Sequence, residues 1–513
     1  MTNDDISRRG FVKGTGASVA GGALGSLAGC IGGSGDGDGS NGSSGDTGGD
    51  GYGGGGNGSG GNNSGSDSSG GGSETVTVDF WSFLAAENSE AETRFGESLG
   101  NFESMHSAIG VNMQTLTGQQ MRNKLPSAAS AGNAPDLVEG GITGLQFFLD
   151  DALADHGSYV EGSDFMDGFT EANRGSMTYQ GEYWSGGGNR HLVSMLAVRP
   201  KLFKDVGVDD PSQLETWTGY RRALERIKEE YPDVYAYEAT GAPNDLESYW
   251  GEARTAYADG EDPWFDSEAW KAPTESLKVG QAGRTDGMIR NTVELANAYS
   301  SSEAPSRSDE QVPPLLLTDR AASFTYGLGN PVRYRSVKED VTFGWDGDVW
   351  QGPIPRLDPN YGQEFGIDEL AGEEGSHGGH LWAIQMMKQA FGQDHNDPEE
   401  AFTLMTYLNT SAEHNVTLLA EDYPALAAYE PLNQEILSQY GDSMPQIQKA
   451  MYDLPEQYGS QYNTTGADWD LSETSQVRWT DLNQTISQGI AGQHSPSGTV
   501  EAVRNRITET VSG

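Results

Sequence analysis

Between Thr75 and Glu139 short β-branched and aromatic runs alternate with longer runs of helical period, and this alternation leaves few folds open to the chain. Thr75-Val76-Thr77-Val78-Asp79-Phe80-Trp81 has the bias of a buried strand. Asn88 to His106 is polar except for Phe95, Leu99, Phe102 and Met105, whose three- and four-residue steps define one helical face. Val111 to Leu116 reads as a second strand. Met121, Leu125 and Ala128 mark a second helix, stopped by Ala131-Gly132-Asn133-Ala134-Pro135, and Asp136-Leu137-Val138-Glu139 is again strand-like. Strand, helix, strand, helix, strand is the order of a parallel α/β sheet. The pattern resumes with Leu192 to Val198 as a strand and with Trp217 to Tyr231 and Asn291 to Tyr299 as helices. Two α/β units without a detectable repeat predict two lobes, with function expected in the loops beyond the carboxyl ends of the strands.

The folded part is preceded by residues of a different kind. Residues 31–73 are almost entirely Gly, Ser, Asp and Asn, a composition with nothing apolar to bury. Such a segment is predicted to be a flexible tether spanning roughly 35–40 Å. Its Asp residues lack the spacing of a calcium loop. Before it, Arg8-Arg9-Gly10-Phe11 leads into a Gly- and Ala-rich apolar stretch too short to cross a bilayer, which ends at Leu27-Ala28-Gly29-Cys30. The Arg pair resembles a twin-arginine export signal, and the last four residues resemble a lipobox, in which the Cys becomes lipidated. Cys30 is the one cysteine of the chain, so there is neither an intrachain disulfide nor a cysteine-rich zinc site. The expected organisation is a signal peptide over 1–30, a linker over 31–73 and a folded domain over 74–513.

Charge removes one class of function. With 31 Lys plus Arg against 76 Asp plus Glu, the formal net charge is -45, which repels the phosphates of nucleic acid. Only ten of the basic residues are Lys, and the acidic excess runs through the whole folded part, which resembles a halophilic protein kept hydrated in brine. Glycosylation sequons stand at Asn41, Asn57, Asn62, Asn409, Asn415, Asn463 and Asn483.

Phe80-Trp81, the run from Lys124 to Val138, Arg199 to Lys204, Leu315 to Phe324, Gly352 to Pro355 and Asp397 to Phe402 resemble, in this order, segments of the extracellular solute-binding proteins of ABC transporters that include the maltose-type binders. Phe80-Trp81 resembles the end of that family's first strand. Lys124-Leu125 through Ala131-Gly132-Asn133-Ala134-Pro135-Asp136-Leu137-Val138 is similar to its helix, turn and third strand. Arg199-Pro200-Lys201-Leu202-Phe203-Lys204, Leu315 to Phe324 and Gly352-Pro353-Ile354-Pro355 match further stretches, as does Asp397-Pro398-Glu399-Glu400-Ala401-Phe402. Gly378-Gly379-His380-Leu381-Trp382-Ala383-Ile384 resembles the stretch that opens one of its helices. Departures are Leu196-Ala197-Val198-Arg199 and Asp319-Arg320, and the last eighty residues match least.

The resemblance implies an α/β, two-lobed clamp of the periplasmic-binding-protein type II class, with a ligand cleft between the lobes. The first lobe would comprise about 74–187 and 311–345, the second 188–310 and 346–513. It implies a monomer without cofactor, anchored through Cys30 on the extracellular face of the membrane, that hands solute to permease subunits.

A sugar presents apolar ring faces edged with hydroxyls, so its site pairs aromatic platforms with hydrogen-bonding side chains. From the first lobe Trp81, Ser82, Gln119, Glu139, Trp184 and Asn189 are the candidates. From the second come Trp250, Trp345 and Asp346 with Gly378 and Gly379. Each Trp or Tyr also has a core-packing reading, to which Trp217 and Trp382 are assigned outright. His377-Gly378-Gly379-His380 holds the one close His pair, but its glycines do not hold ligands rigidly, and no metal is expected. The other readings are a polyamine or other small-solute binder, a binder serving a membrane receptor, and an exported glycan hydrolase. For the hydrolase no catalytic motif is found, and carboxylates are too abundant for their spacing to count.

Overall fold

Thr117 opens a helix by accepting from the backbone N–H of Gln120, whose side chain accepts from the Thr117 N–H in return, and this box fixes where the first α/β turn begins. The helix ends as its sequence demands. Gly132 takes the left-handed φ of +69°, and Asn133 N–H reaches back to Ala128 O at 2.8 Å. The computed structural model describes residues 75–512 apart from 87–88, 140–146, 149–150, 162, 170–173, 175–176, 180, 244–248, 250–251, 254, 258–277, 378–382, 391–397 and 459–480. Cys30, Arg8, Arg9, the linker, Trp250, Gly378, Gly379, His380 and Trp382 therefore lie outside the described residues.

The first elements are β1 (Val76–Ser82), α1 (Ser89–Met105), β2 (Ile109–Thr115), α2 (Gly118–Ser130) and β3 (Leu137–Glu139). β1 pairs in parallel with β2 on one side and β3 on the other. The two-residue period of β1 divides its side chains between two apolar layers. Val78 and Phe80 join Phe95, Leu99 and Phe102 of α1, whereas Trp81 packs with Leu116, Met121, Leu125 and Val138 on the α2 side.

A small hairpin, β4 (Thr178–Tyr179) and β5 (Glu182–Tyr183), precedes β6 (Gly188–Val193) and β7 (Met195–Val198). The run expected as one strand from Leu192 to Val198 is thus two. With β10 (Ala383–Ala390) and β11 (Leu426–Ala427), β6 belongs to a six-stranded sheet of order β11-β6-β10-β3-β1-β2, and with β8 (Ser323–Gly327) and β9 (Trp350–Gly352), β7 is the centre of an antiparallel three-stranded sheet of order β8-β7-β9. A single residue, Ser194, separates them. Nothing in the apolar composition of the run marks the change of sheet, which is why it reads as continuous.

The rest of the chain is shared between these sheets, giving a two-lobed α/β protein. β8 and β9 pair with β7, and α3 (Trp217–Glu230) and α4 (Arg284–Tyr299) join β8 through Tyr220 with Ser323 and through Thr292 and Thr325 on the shared Glu252. β10 (Ala383–Ala390), α5 (Pro398–Thr410) and β11 (Leu426–Ala427) return to the first sheet, where β10 runs antiparallel to β3 and β6. α6 (Gln446–Tyr458) packs on β9, and α7 (Asn483–Ile490) and α8 (Pro496–Ser512) pack on α4.

Two expectations are corrected by this pairing. Ala383-Ile384 does not open a helix but begins strand β10. The expected lobe boundaries also do not follow the sheets: β8, inside 311–345, pairs with β7, and β6, β10 and β11 complete the sheet that β1 begins. Three of the sequons are interior, with Asn409, Asn415 and Asn483 buried, so the folded chain does not present them for modification.

Candidate functional site

The carboxyl ends of β1 and β3 are level, with Ser82 opposite Glu139 in the parallel register. Ser82 Oγ–H donates to Glu139 Oε2 at 2.6 Å, and the Leu84 N–H donates to the same oxygen at 3.3 Å. Ala85 N–H in turn donates to Ser82 Oγ at 3.1 Å. The other carboxylate oxygen, Oε1, lies 3.9 Å from a guanidinium nitrogen of Arg190 on β6, and both side chains are wholly buried. Arg190 reaches this position across the intervening β10, with its guanidinium 4.6 Å from the ring centre of Tyr423 and 5.5 Å from that of Phe83. A planar, weakly hydrated cation is the group that tolerates such a place, because it pairs with the carboxylate while its faces lie on aromatic carbon. The result is a buried polar floor at the carboxyl ends of β1 and β3. Trp81, next to Ser82 but on the opposite face of the strand, is only partly buried.

The structure brings some of the expected ligand residues together and separates others. Ser82 and Glu139 meet, yet both are sealed from solvent and engaged with each other, so they act as scaffold and not as an open cleft edge. Gln119 stands in the first turn of α2 and Asn189 on β6, at positions whose side chains lie outside the described residues. Trp184 is core, not platform: the β4–β5 hairpin turns it inward, with its backbone N–H on Met177 O at 3.0 Å. Tyr249 is likewise fully buried, and Trp217 is in the core as expected.

Trp345 and Asp346 belong elsewhere altogether. Trp345 donates its Nε1–H to Asp209 O at 2.9 Å and meets Trp350 edge-on, while the exposed Asp346 pairs with Lys204 at 2.6 Å. Trp350 pairs with Val198, the far end of β7 from Ser194, and four strand residues span about 10 Å. These two side chains therefore do not join the polar floor at Ser82.

Residues 78–356 match the family described as bacterial extracellular solute-binding protein. The chain belongs to that family. A comparison with curated proteins gives no match. Among solved structures, the chain is similar to an ABC transporter solute-binding protein from Thermotoga lettingae bound with α-D-tagatose, at 14% identity and a TM-score of 0.62, over 86% of this chain and 100% of that one. It is also similar to an ABC substrate-binding protein from Listeria monocytogenes in complex with cycloalternan, at 17% identity and TM-score 0.57, with 86% and 100% covered. A third similar structure is the sugar-binding protein MalE of Xanthomonas citri, at 18% identity and TM-score 0.59, with 85% and 98% covered. The fold these proteins share is the two-lobed α/β architecture described above.

Other buried charges of this solute-binding protein hold its second lobe. Glu252 accepts from Tyr237 Oη at 2.6 Å, Thr325 Oγ1 at 2.5 Å and Thr292 Oγ1 at 2.6 Å, and burial pushes its carboxyl above the usual range. Glu238 accepts from Ser301 and pairs with Arg307. His377 is buried with Nδ1 at 3.0 Å from Ile354 O. Among the described residues no group of three or more His, Cys, Asp or Glu is placed to hold a metal ion, and no helix is long and apolar enough to cross a membrane. Arg190, Tyr423 and Glu252 were not singled out in the sequence. An Arg inside an otherwise strand-forming run, Gly188-Asn189-Arg190-His191-Leu192-Val193, was the available signal for the first of them.

Proposed function

We propose that this solute-binding protein captures a sugar or oligosaccharide outside the cell and delivers it to an ABC permease. The observation that carries the reading is Trp81 at the carboxyl end of β1, partly open and standing next to the fixed floor of Ser82, Glu139 and Arg190. An aromatic ring partly open at a strand end suits the apolar face of a sugar, while the sealed polar groups on the other face of β1 only fix the strand ends. The α-D-tagatose and cycloalternan of the similar structures support the same ligand class.

In this proposal Trp81 is the platform, and Ser82, Glu139 and Arg190 fix the ends of β1 and β3. The lobes divide by sheet, 75–193 with 383–440 against 195–377 with 446–512. The chain is a monomer, exported by the signal at Arg8-Arg9 and anchored through Cys30, and its acidic surface suits strong brine.

Replacing Trp81 by alanine is expected to weaken binding of the best sugar ligand roughly 10- to 100-fold, as loss of a central aromatic contact does. Isothermal titration in high salt measures this. Unchanged affinity in Trp81→Ala would place the platform elsewhere.

A further inference from the structure

The two sheets are joined at Ser194, and one element with described side chains on both of its partners spans them a second time. α6 is fixed to the second lobe. Gln446 Nε2–H donates to Gln351 O of β9 at 2.8 Å, and Gln351 N–H donates to Gln446 Oε1 at 3.4 Å. Met451 packs so closely on Gly329, after β8, that a Cβ there would lie 2.4 Å from Met451 Cγ.

From the same helix two side chains reach the first lobe. Gln448, buried, donates Nε2–H to Ala420 O at 2.8 Å, and Tyr452 Oη–H points to Ala425 O at 3.5 Å. Ala420 lies in a π-helical turn, Leu418–Asp422, a geometry in which carbonyls depart from the ordinary helical ladder. The segment continues into Tyr423, whose ring covers Arg190, and into β11, which pairs with Arg190 and His191 on β6. Mechanical continuity therefore runs from the Glu139–Arg190 floor, through 420–427, to α6 and the second sheet.

At the single-residue junction itself, the buried Ser194 Oγ finds no hydrogen-bond partner among the described residues. A joint of one residue leaves the angle between the sheets to whatever packs across it.

We infer that α6 is a releasable brace that sets the resting angle between the lobes, with Gln448 and Tyr452 as its releasable bonds. They tie side-chain donors to two backbone carbonyls, so they break without unfolding either lobe. Releasing them repopulates other angles, and any ligand that contacts both lobes then senses the change as altered affinity. The inference does not depend on the identity of the solute.

The test uses the full chain without ligand, carrying Cys30→Ser, Met105→Cys and Val337→Cys. Met105 on the first lobe and Val337 on the second are 57% and 42% exposed, so spin labels there report the lobe-to-lobe distance distribution. Gln448→Met with Tyr452→Phe removes both donors at nearly constant volume and is expected to keep the fold. It is expected to change the ratio of distance populations roughly tenfold, as loss of two hydrogen bonds does. Lys449→Ala, on the exposed face of the same helix, is expected to leave the distribution as in the parent. A distribution unmoved by the double substitution, or moved equally by Lys449→Ala, overturns the brace. If the double variant does not fold, Tyr452→Phe alone carries the same reading: a partial shift supports the brace, and no shift overturns it.

Discussion

Replacing Arg190 by alanine lowers the stability of the protein by about 3–5 kcal/mol, the expected cost of stripping the partner from a buried carboxylate. Glu139 keeps its hydrogen bonds from Ser82 and Leu84, but its charge remains enclosed without the guanidinium. The rings of Phe83 and Tyr423 also lose the cation they flank. A neutral pair of similar shape, Glu139→Gln with Arg190→Met, recovers most of that loss, because replacing both charges removes the desolvation penalty together with the attraction. Denaturant unfolding of the parent, Glu139→Gln, Arg190→Met and the double variant in one salt concentration gives the coupling directly. An Arg190→Ala protein within about 1 kcal/mol of the parent contradicts the account, since only a solvated pair is worth so little.

Acidification destabilises the protein through two buried histidines. His156 has Nδ1 at 2.8 Å from Ala154 O and its ring edge-on to Phe402, and burial lowers its pKa to about 4. His377, against Ile354 O, is lowered to about 4 by the same cause. In the unfolded chain both titrate near 6.5, so between that pH and 4 the unfolded state takes up protons that the folded state refuses. Their contribution is complete above about pH 6.5 and is lost as pH falls through the window, by about 3 kcal/mol each at pH 4. Unfolding midpoints at pH 7, 6 and 5 in constant high salt fall accordingly. His156→Gln with His377→Gln flattens the curve, and an equal slope in parent and variant would falsify the assignment.

The elements that could be read from the sequence are those whose period is local. β1, α1, β2, α2 and β3 follow from alternation and three-to-four spacing, and Gly132 marks the helix end because only its left-handed φ completes the cap. What could not be read depends on partners distant in the chain. Leu192-Val193 at the end of β6 and Met195 to Val198 of β7 are alike apolar and extended, so their membership of different sheets is decided by β10 and β8, far downstream. Ala383 to Ala390 carries apolar residues that suit helix or strand, and its pairing with β3 and β6 selects the strand.

The candidate site divides in the same way. Ser82 and Glu139 were legible as residues at strand ends, but not that they close on each other or that Glu139 faces Arg190, 51 residues further along the chain. Aromatic residues gave the least information. Trp81, Trp184 and Trp345 look alike in sequence, yet one is partly open at the sheet end, one is core and one caps the far end of the second sheet.

The central claim, that this family member binds a sugar without altering it, is tested most directly by thermal unfolding in molar salt across mono- to tetrasaccharides, with polyamines in parallel. A sugar at 100 times its Kd stabilises the folded state by about 2.7 kcal/mol and raises Tm, and chromatography then recovers it unchanged. A rise with a polyamine and none with any sugar, or a sugar recovered as hydrolysis products, contradicts the account.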